Sequence, residues 1–179
     1  DKKTQLENPA WHIHGSQPPL EDAHLSYNIL LNLAGVCNTE DKDILWHFIS
    51  RYRPDATPEN APTLDLLTEY AVEYFRDFVK PHKKYRAPTD MERAALEDLV
   101  TSLTALPPDA AAEDIQSQVY AVGKTHKFGN LKSWFQALYE TLLGQSTGPR
   151  MGSFIALYGI EETKLLIGRV LKGEDLGTA

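Results

Sequence analysis

Four cations, Lys80, Lys83, Lys84 and Arg86, fall within seven residues that contain no acid, with His82 and Tyr85 interleaved. A second group, Lys124, His126, Lys127 and Lys132, is equally free of acids and runs directly into Trp134 and Phe135. Ammonium and guanidinium groups neutralise phosphates, and aromatic rings stack on unpaired bases, so both groups point to contact with a nucleic acid. A formal net charge of −7 opposes indiscriminate coating of DNA or RNA. The positive charge is local, which suits one strand or one loop. Each group also has a simpler explanation, because each begins at an expected helix end, where cations favour the dipole. Arg150 is open in the same way: it pairs with an acid, or it turns its planar fork toward a base or phosphate.

Other chemistries find less support. His12 and His14 suggest a metal pair, but zinc sites need three or four ligands, and Cys37, His24 and His47 offer no recognisable spacing. No metal site is expected. Asp41 with Asp43, and Glu161 with Glu162, are paired carboxylates that fall in expected first turns of helices, where capping and the dipole account for them. No Ser/His/Asp or Cys/His arrangement and no glycine-rich phosphate loop emerges, so no catalytic residue is assigned. With Cys37 as the only cysteine, an intramolecular disulfide is impossible. No apolar run approaches the roughly 20 residues that span a bilayer, and the polar opening lacks the pattern of a signal peptide. These features lead to the expectation of a reduced, cytoplasmic protein without a membrane role.

The elements that must carry these residues read as helix throughout. The chain has 42% apolar and 24% charged residues, ordinary values for a folded domain. Residues 23–36 carry Leu25, Ile29, Leu30, Leu33 and Val36, which suits a helix buried on more than one side. Thr39 reads as the N-cap of the next helix, with Ile44, Leu45, Phe48 and Ile49 as its apolar face. A helix from about Pro62 places Leu64, Leu67, Ala71, Tyr74, Phe75 and Phe78 on one side until Pro81 stops it. Thr89 and Glu92 form a capping box for a helix with Leu96, Leu99, Val100 and Leu103. Ile115, Val119 and Val122 mark another helix ending near Gly123, and 124–130 reads as a loop. Leu131, Phe135, Leu138 and Leu142 then form one buried stripe that Gly144 caps. That stripe makes Phe135 the core aromatic. Trp134 is left either as a base-stacking platform or packed beneath a neighbouring helix. Pro149 suits the first turn of the following helix, Gly148 and Gly152 permit a tight turn and close helix approach, and Gly159 ends that helix. Residues 161–171 form the last one. The fold expected is all-α, a bundle or cage of about eight helices.

Residues 134–159, WFQALYETLLGQSTGPRMGSFIALYG, join two apolar helices through Gly148-Pro149-Arg150 and close on Leu157-Tyr158-Gly159. This pattern resembles the closing segment of the class I lysyl-tRNA synthetases of bacterial type. Trp11 to His14, Ile29 to Leu33, Leu45 to Tyr52 and Asp77 to Pro81 look like further blocks in the same order, followed by Ile115-Gln116, Val119-Tyr120, Gly123-Lys124 and Trp134-Phe135. The resemblance spans roughly residues 8–172. It implies the C-terminal anticodon-binding region of a lysine-tRNA ligase, whose partner is lysine tRNA and whose ATP-dependent chemistry belongs to a Rossmann catalytic domain outside this chain. His12-Ile13-His14-Gly15 is not that family's His-Ile-Gly-His motif, because the order differs and no strand precedes it. The fragment is therefore expected to be non-catalytic and to need no cofactor of its own.

The organisation expected is an extended arm over 1–19, a helical region over 20–172 divisible at the basic linker into 20–86 and 87–172, and a tail over 173–179. A helical protein-interaction module with no RNA role is the alternative.

Overall fold

A computed structural model describes residues 25–177. The expected arm, the Trp11 to His14 stretch and His24 lie outside the described residues. Within them there are eight α-helices and no strand, an all-α bundle as expected. Helix α1, Tyr27–Cys37, starts where the Ser26 hydroxyl accepts from the Ile29 amide and ends on Asn38 in the left-handed region. It buries Ile29, Leu30, Leu33 and Ala34. Helix α2, Lys42–Tyr52, is capped by Asp41 rather than Thr39. The Thr39 hydroxyl instead accepts from the Asp41 amide and braces the preceding turn. Ile44 is exposed, and Trp46 takes its place in the core, donating its indole N–H to Asp65 at 2.9 Å.

Helix α3, Pro62–Tyr74, begins with proline where an amide hydrogen is dispensable. It continues through a π turn, Phe75–Val79, and a 3₁₀ turn, Lys80–His82. Leu64, Thr68, Ala71, Val72 and Phe75 face inward, whereas Tyr74 and Phe78 are exposed, contrary to the single apolar side expected. The i, i+4 row of Leu66, Tyr70, Tyr74 and Phe78 lies outside the buried face, and the wider π turn shifts the phase beyond Phe75.

A connector over 83–89 crosses to the second half, where Thr89 and Glu92 close the expected capping box of α4, Asp90–Thr104. Helix α5, Ala112–Thr125, runs past Gly123, so Lys124 sits in its last turn rather than in a loop. Helix α6, Leu131–Leu138, extends through a π turn, Tyr139–Leu143, to Gly144 at φ 68°. Helix α7, Met151–Tyr158, starts after Pro149 instead of containing it, and Gly159 separates it from α8, Ile160–Leu171.

Helices α4 to α8 enclose one apolar cluster around Leu99, Val119, Trp134, Leu138, Phe154 and Ile155. The other, from α1 to α3, gathers Leu30, Leu33, Leu45, Ile49 and Phe75, and Leu157 of α7 reaches into it. Val36 and Tyr158 pack against both clusters. Arg51 adds a polar clasp, donating to Glu162 and to the Tyr158 carbonyl at 2.6 Å each.

Candidate nucleic-acid interface

The connector positions the first group of cations. Its backbone is pinned at Lys84, whose amide donates to the Gly144 carbonyl at 2.9 Å. Extended chain turns alternate side chains to opposite sides. Accordingly, Lys83 and Tyr85 turn inward and are half-buried, while Lys84 and Arg86 are exposed. The Tyr85 ring lies against Gly144, where a Cβ would meet it at 2.9 Å.

The four cations have different surroundings. Lys80 pairs with Glu40 at 2.8 Å. Arg86 is a structural clamp: its terminal nitrogens donate to both oxygens of Glu92 at 2.7 and 2.8 Å, and its Nε donates to Glu140. Arg86 holds both carboxylates below their ordinary pKa range, Glu92 chiefly through these hydrogen bonds. Lys83 donates to the Gly35 carbonyl and the Tyr85 hydroxyl in a half-buried site. Lys84 is exposed and, among the described residues, has no carboxylate partner. It shares an open groove with His82, Gln145, Ser146 and Thr147. His82 is tied to the Phe78 carbonyl through Nδ1 at 2.9 Å.

The second group wraps the corner between α5 and α6. Lys124, Lys127 and Lys132 are exposed, and none has a carboxylate partner among the described residues. Lys127 takes φ 53°, a left-handed turn that reverses the chain after α5. Asn130 then caps α6 by accepting from the Ser133 amide at 2.9 Å. His126 is half-buried with Nε2 at 3.0 Å from Asp98, a contact that ties the corner to α4.

Of the two aromatic residues, Trp134 takes the packed one of its two expected placements, whereas Phe135 is not the core aromatic expected. Trp134 is 0% exposed and donates its indole N–H to the Val119 carbonyl at 2.9 Å, so it is core and presents no ring to a base. Phe135 is half-buried, with its ring centroid 5.3 Å from that of Tyr120, itself 41% exposed. The Tyr120–Phe135 pair is therefore the aromatic surface beside the lysines, and sequence reasoning missed it. Its signal was present: Tyr120 follows the core residue Val119 and falls off the buried stripe.

Arg150 makes the acid pair, its two terminal nitrogens at 3.0 and 2.6 Å from the Glu113 oxygens. The guanidinium holds the Glu113 carboxyl below its ordinary range. Close packing supports this corner. Gly152 donates its amide to the Gln116 side chain at 2.6 Å, and a Cβ on Gly152 would meet the Ala112 carbonyl at 2.3 Å.

The two cation groups do not merge into one patch. Lys132 lies in the first turn of α6 and the Lys84 groove beyond its end, so they stand about 18 Å apart along the axis. Helix α3 shows a different surface, the row of Leu66, Tyr70, Tyr74 and Phe78, with Tyr74 and Phe78 centroids 5.0 Å apart. Glu69 and Glu73 stand on the same exposed flank, a charge unsuited to phosphate. Among the described residues, no group of three or more His, Cys, Asp or Glu is placed to hold a metal ion. No helix among them is long and apolar enough to cross a membrane.

Over 176 residues, 98% of its length, the chain is 52% identical to a lysine-tRNA ligase of Roseobacter denitrificans, of which it covers 33%. It is 49% identical over 168 residues to a lysine-tRNA ligase of Rickettsia bellii and 45% identical to one of Rickettsia akari, covering 32% of each. The chain thus spans about one third of the length of these relatives. No protein-family model and no solved structure matches it.

Proposed function

We propose that this chain is the region of a class I lysine-tRNA ligase that grips the anticodon loop of lysine tRNA. The observation that carries the reading is the α5–α6 corner, where Lys124, Lys127 and Lys132 stand exposed without acids beside Tyr120 and Phe135. It occurs in a chain 52% identical to one third of a lysine-tRNA ligase. The lysines would neutralise loop phosphates, and the aromatic pair would give an unstacked base a surface to rest on. Lys84, at the other end of α6, would meet a second point on the backbone. A catalytic domain elsewhere in a longer polypeptide would use ATP to activate lysine and transfer it to the tRNA in the cytoplasm. This chain would orient the tRNA and carry no chemical step.

The test is binding of the purified chain to lysine tRNA and to the same tRNA with a substituted anticodon, across a salt series. Preference for the cognate anticodon is expected. Lys124→Ala and Lys127→Ala should each lower the salt slope by about one unit. Equal or absent binding to both tRNAs would overturn the reading for this chain.

The exposed apolar row on α3 beside Glu69 and Glu73 favours a second reading, a protein-interaction module. Indifference to tRNA, together with a stable protein complex lost on Tyr74→Ser, would support it.

A further inference from the structure

Between the end of α1, the connector and α8 lies a cavity of about 470 Å³, lined by Cys37, Asn38, Lys80, Lys83, Tyr85 and Arg169 among others. Three of these residues are cations, and among the described residues no carboxylate residue lines the cavity. Glu40 and Glu174 hold the outer two, Lys80 at 2.8 Å and Arg169 through its Nε at 2.8 Å. Neither acid contacts Lys83. The Lys83 ammonium is instead satisfied by neutral groups: the Gly35 carbonyl at 2.8 Å, the Tyr85 hydroxyl at 2.9 Å, and the Phe75 and Tyr85 rings at 5.6 and 5.3 Å.

Capping the C-terminal end of α1 explains the bond to Gly35. It explains neither the lack of a counter-ion among the described residues nor the cavity that Lys83 lines. A half-buried ammonium without an acid is destabilised by lost hydration, and burial lowers the Lys83 amine to about 8. An anion in the cavity would reverse that cost. An ammonium has three donors and Lys83 uses two on protein oxygens. Arg169 uses Nε on Glu174, and its two terminal nitrogens have no described partner. A tetrahedral anion can accept from the third Lys83 donor and from the Arg169 fork together.

We propose that this cavity binds a phosphate group, with Lys83 as its inner ligand and Arg169 as its outer one. Tyr85 and the apolar side chains Leu142 and Leu166 leave room for what the phosphate carries. The phosphate is either free or part of an RNA backbone. The proposal does not rest on anticodon recognition.

The experiment follows the side-chain resonances of isotopically labelled lysine while the chain is titrated with inorganic phosphate and, separately, with a single-stranded oligoribonucleotide lacking terminal phosphates. A saturable shift of Lys83 is expected, with its titration midpoint raised by about one pH unit in the bound state. Lys83→Met should weaken binding at least about tenfold and Arg169→Gln about threefold, while Lys164→Met changes nothing. Saturation by inorganic phosphate alone assigns a free phosphate. Saturation by the oligoribonucleotide assigns a backbone phosphate, and either result supports the site. Should Lys83→Met fail to fold, a loss on Arg169→Gln decides in favour. Non-saturable binding to both probes, or binding that Arg169→Gln leaves unchanged, overturns the proposal.

Discussion

Replacing Gly152 with alanine should test the closest approach in the fold, that of α7 to α5. The added Cβ would stand 2.3 Å from the Ala112 carbonyl oxygen, 2.7 Å from the Gln116 Cβ and 2.9 Å from the Gln116 amide. Two of these are backbone atoms of a helix and cannot swing aside. Ordinary carbon–oxygen contact begins near about 3.3 Å, so α7 must retreat by about 1 Å. The Gly152 amide, now 2.6 Å from the Gln116 Oε1, would then lie beyond hydrogen-bonding reach. Overpacking of this kind costs about 1–3 kcal/mol, and the lost bond adds about 1 kcal/mol. The better helix propensity of alanine returns less than about 1 kcal/mol. A net loss of about 2–3 kcal/mol follows, seen as a melting temperature lower by about 5–10 °C for a chain of this size. Gly168→Ala is the matched control. Nothing lies within 4 Å of its added Cβ and its φ is not positive, so it should stabilise by about 0.5–1 kcal/mol. Both variants would be measured by urea and thermal unfolding. If Gly152→Ala stays within about 0.5 kcal/mol of the parent, α5 and α7 do not approach as described, and the reasoning fails.

Three further outcomes are expected. Trp134→Phe should cost about 2 kcal/mol by removing the indole bond to Val119 and leaving a small void. The folded variant should bind tRNA as the parent does, and a selective loss of RNA affinity at unchanged stability would contradict the buried placement. Stability should depend on alkaline pH in two opposed steps. Lys83 titrates near 8 folded against an ordinary 10.5, so across that interval the unfolded chain binds the extra proton and stability rises with pH. Burial pushes Cys37 up from 9.0 to about 12, and Tyr85 and Tyr158 from 10.0 to about 12. These groups keep protons in the folded chain that the unfolded chain loses, so Cys37 offsets the Lys83 rise from about pH 9 and the tyrosines turn it into a decline above about pH 10. Urea unfolding from about pH 7.5 to 11 should show a rise of about 1 kcal/mol and then a decline, and Lys83→Met should remove the rise alone. Arg86→Met should cost about 1–2 kcal/mol at neutral pH, the low end because Arg86 is 38% exposed. Arg86 depresses both Glu92 and Glu140, so this stability is present above their ordinary 4.5 and lost as pH falls below it. The difference between variant and parent should therefore shrink in acid, as acid unfolding followed by circular dichroism would measure.

Much of the fold was legible because local chemistry leaves marks at short range. The Thr89–Glu92 capping box, Pro62 at a helix start, the left-handed Gly144 and the close approach at Gly152 all depend on neighbours within a few residues or on the absence of one Cβ. The misreadings cluster where phase matters. Phe78 lost its expected burial beyond the π turn of α3. Phe135 and Trp134, adjacent in sequence, lie about 100° apart around a helix. A single stripe of apolar residues could not decide which of them is fully buried. Thr39 and Asp41 were both competent caps, and only the path of the chain between α1 and α2 selected Asp41.

Taken by itself, the sequence determined an all-helical chain with two acid-free groups of cations, because periodicity and charge spacing are properties of neighbouring residues. Tertiary structure decided which cations remain exposed. Glu40, Glu92 and Glu140 come to Lys80 and Arg86 from other elements, Glu113 comes to Arg150, and the Tyr85 ring and Gly35 carbonyl enclose Lys83. Lys84, Lys124, Lys127 and Lys132 are left facing solvent. An ion pair requires two groups within about 4 Å, and separations of up to 54 residues along the chain carry no record of that distance. Folding brings those partners together, and so it separates the cations that hold the bundle from those left in solvent.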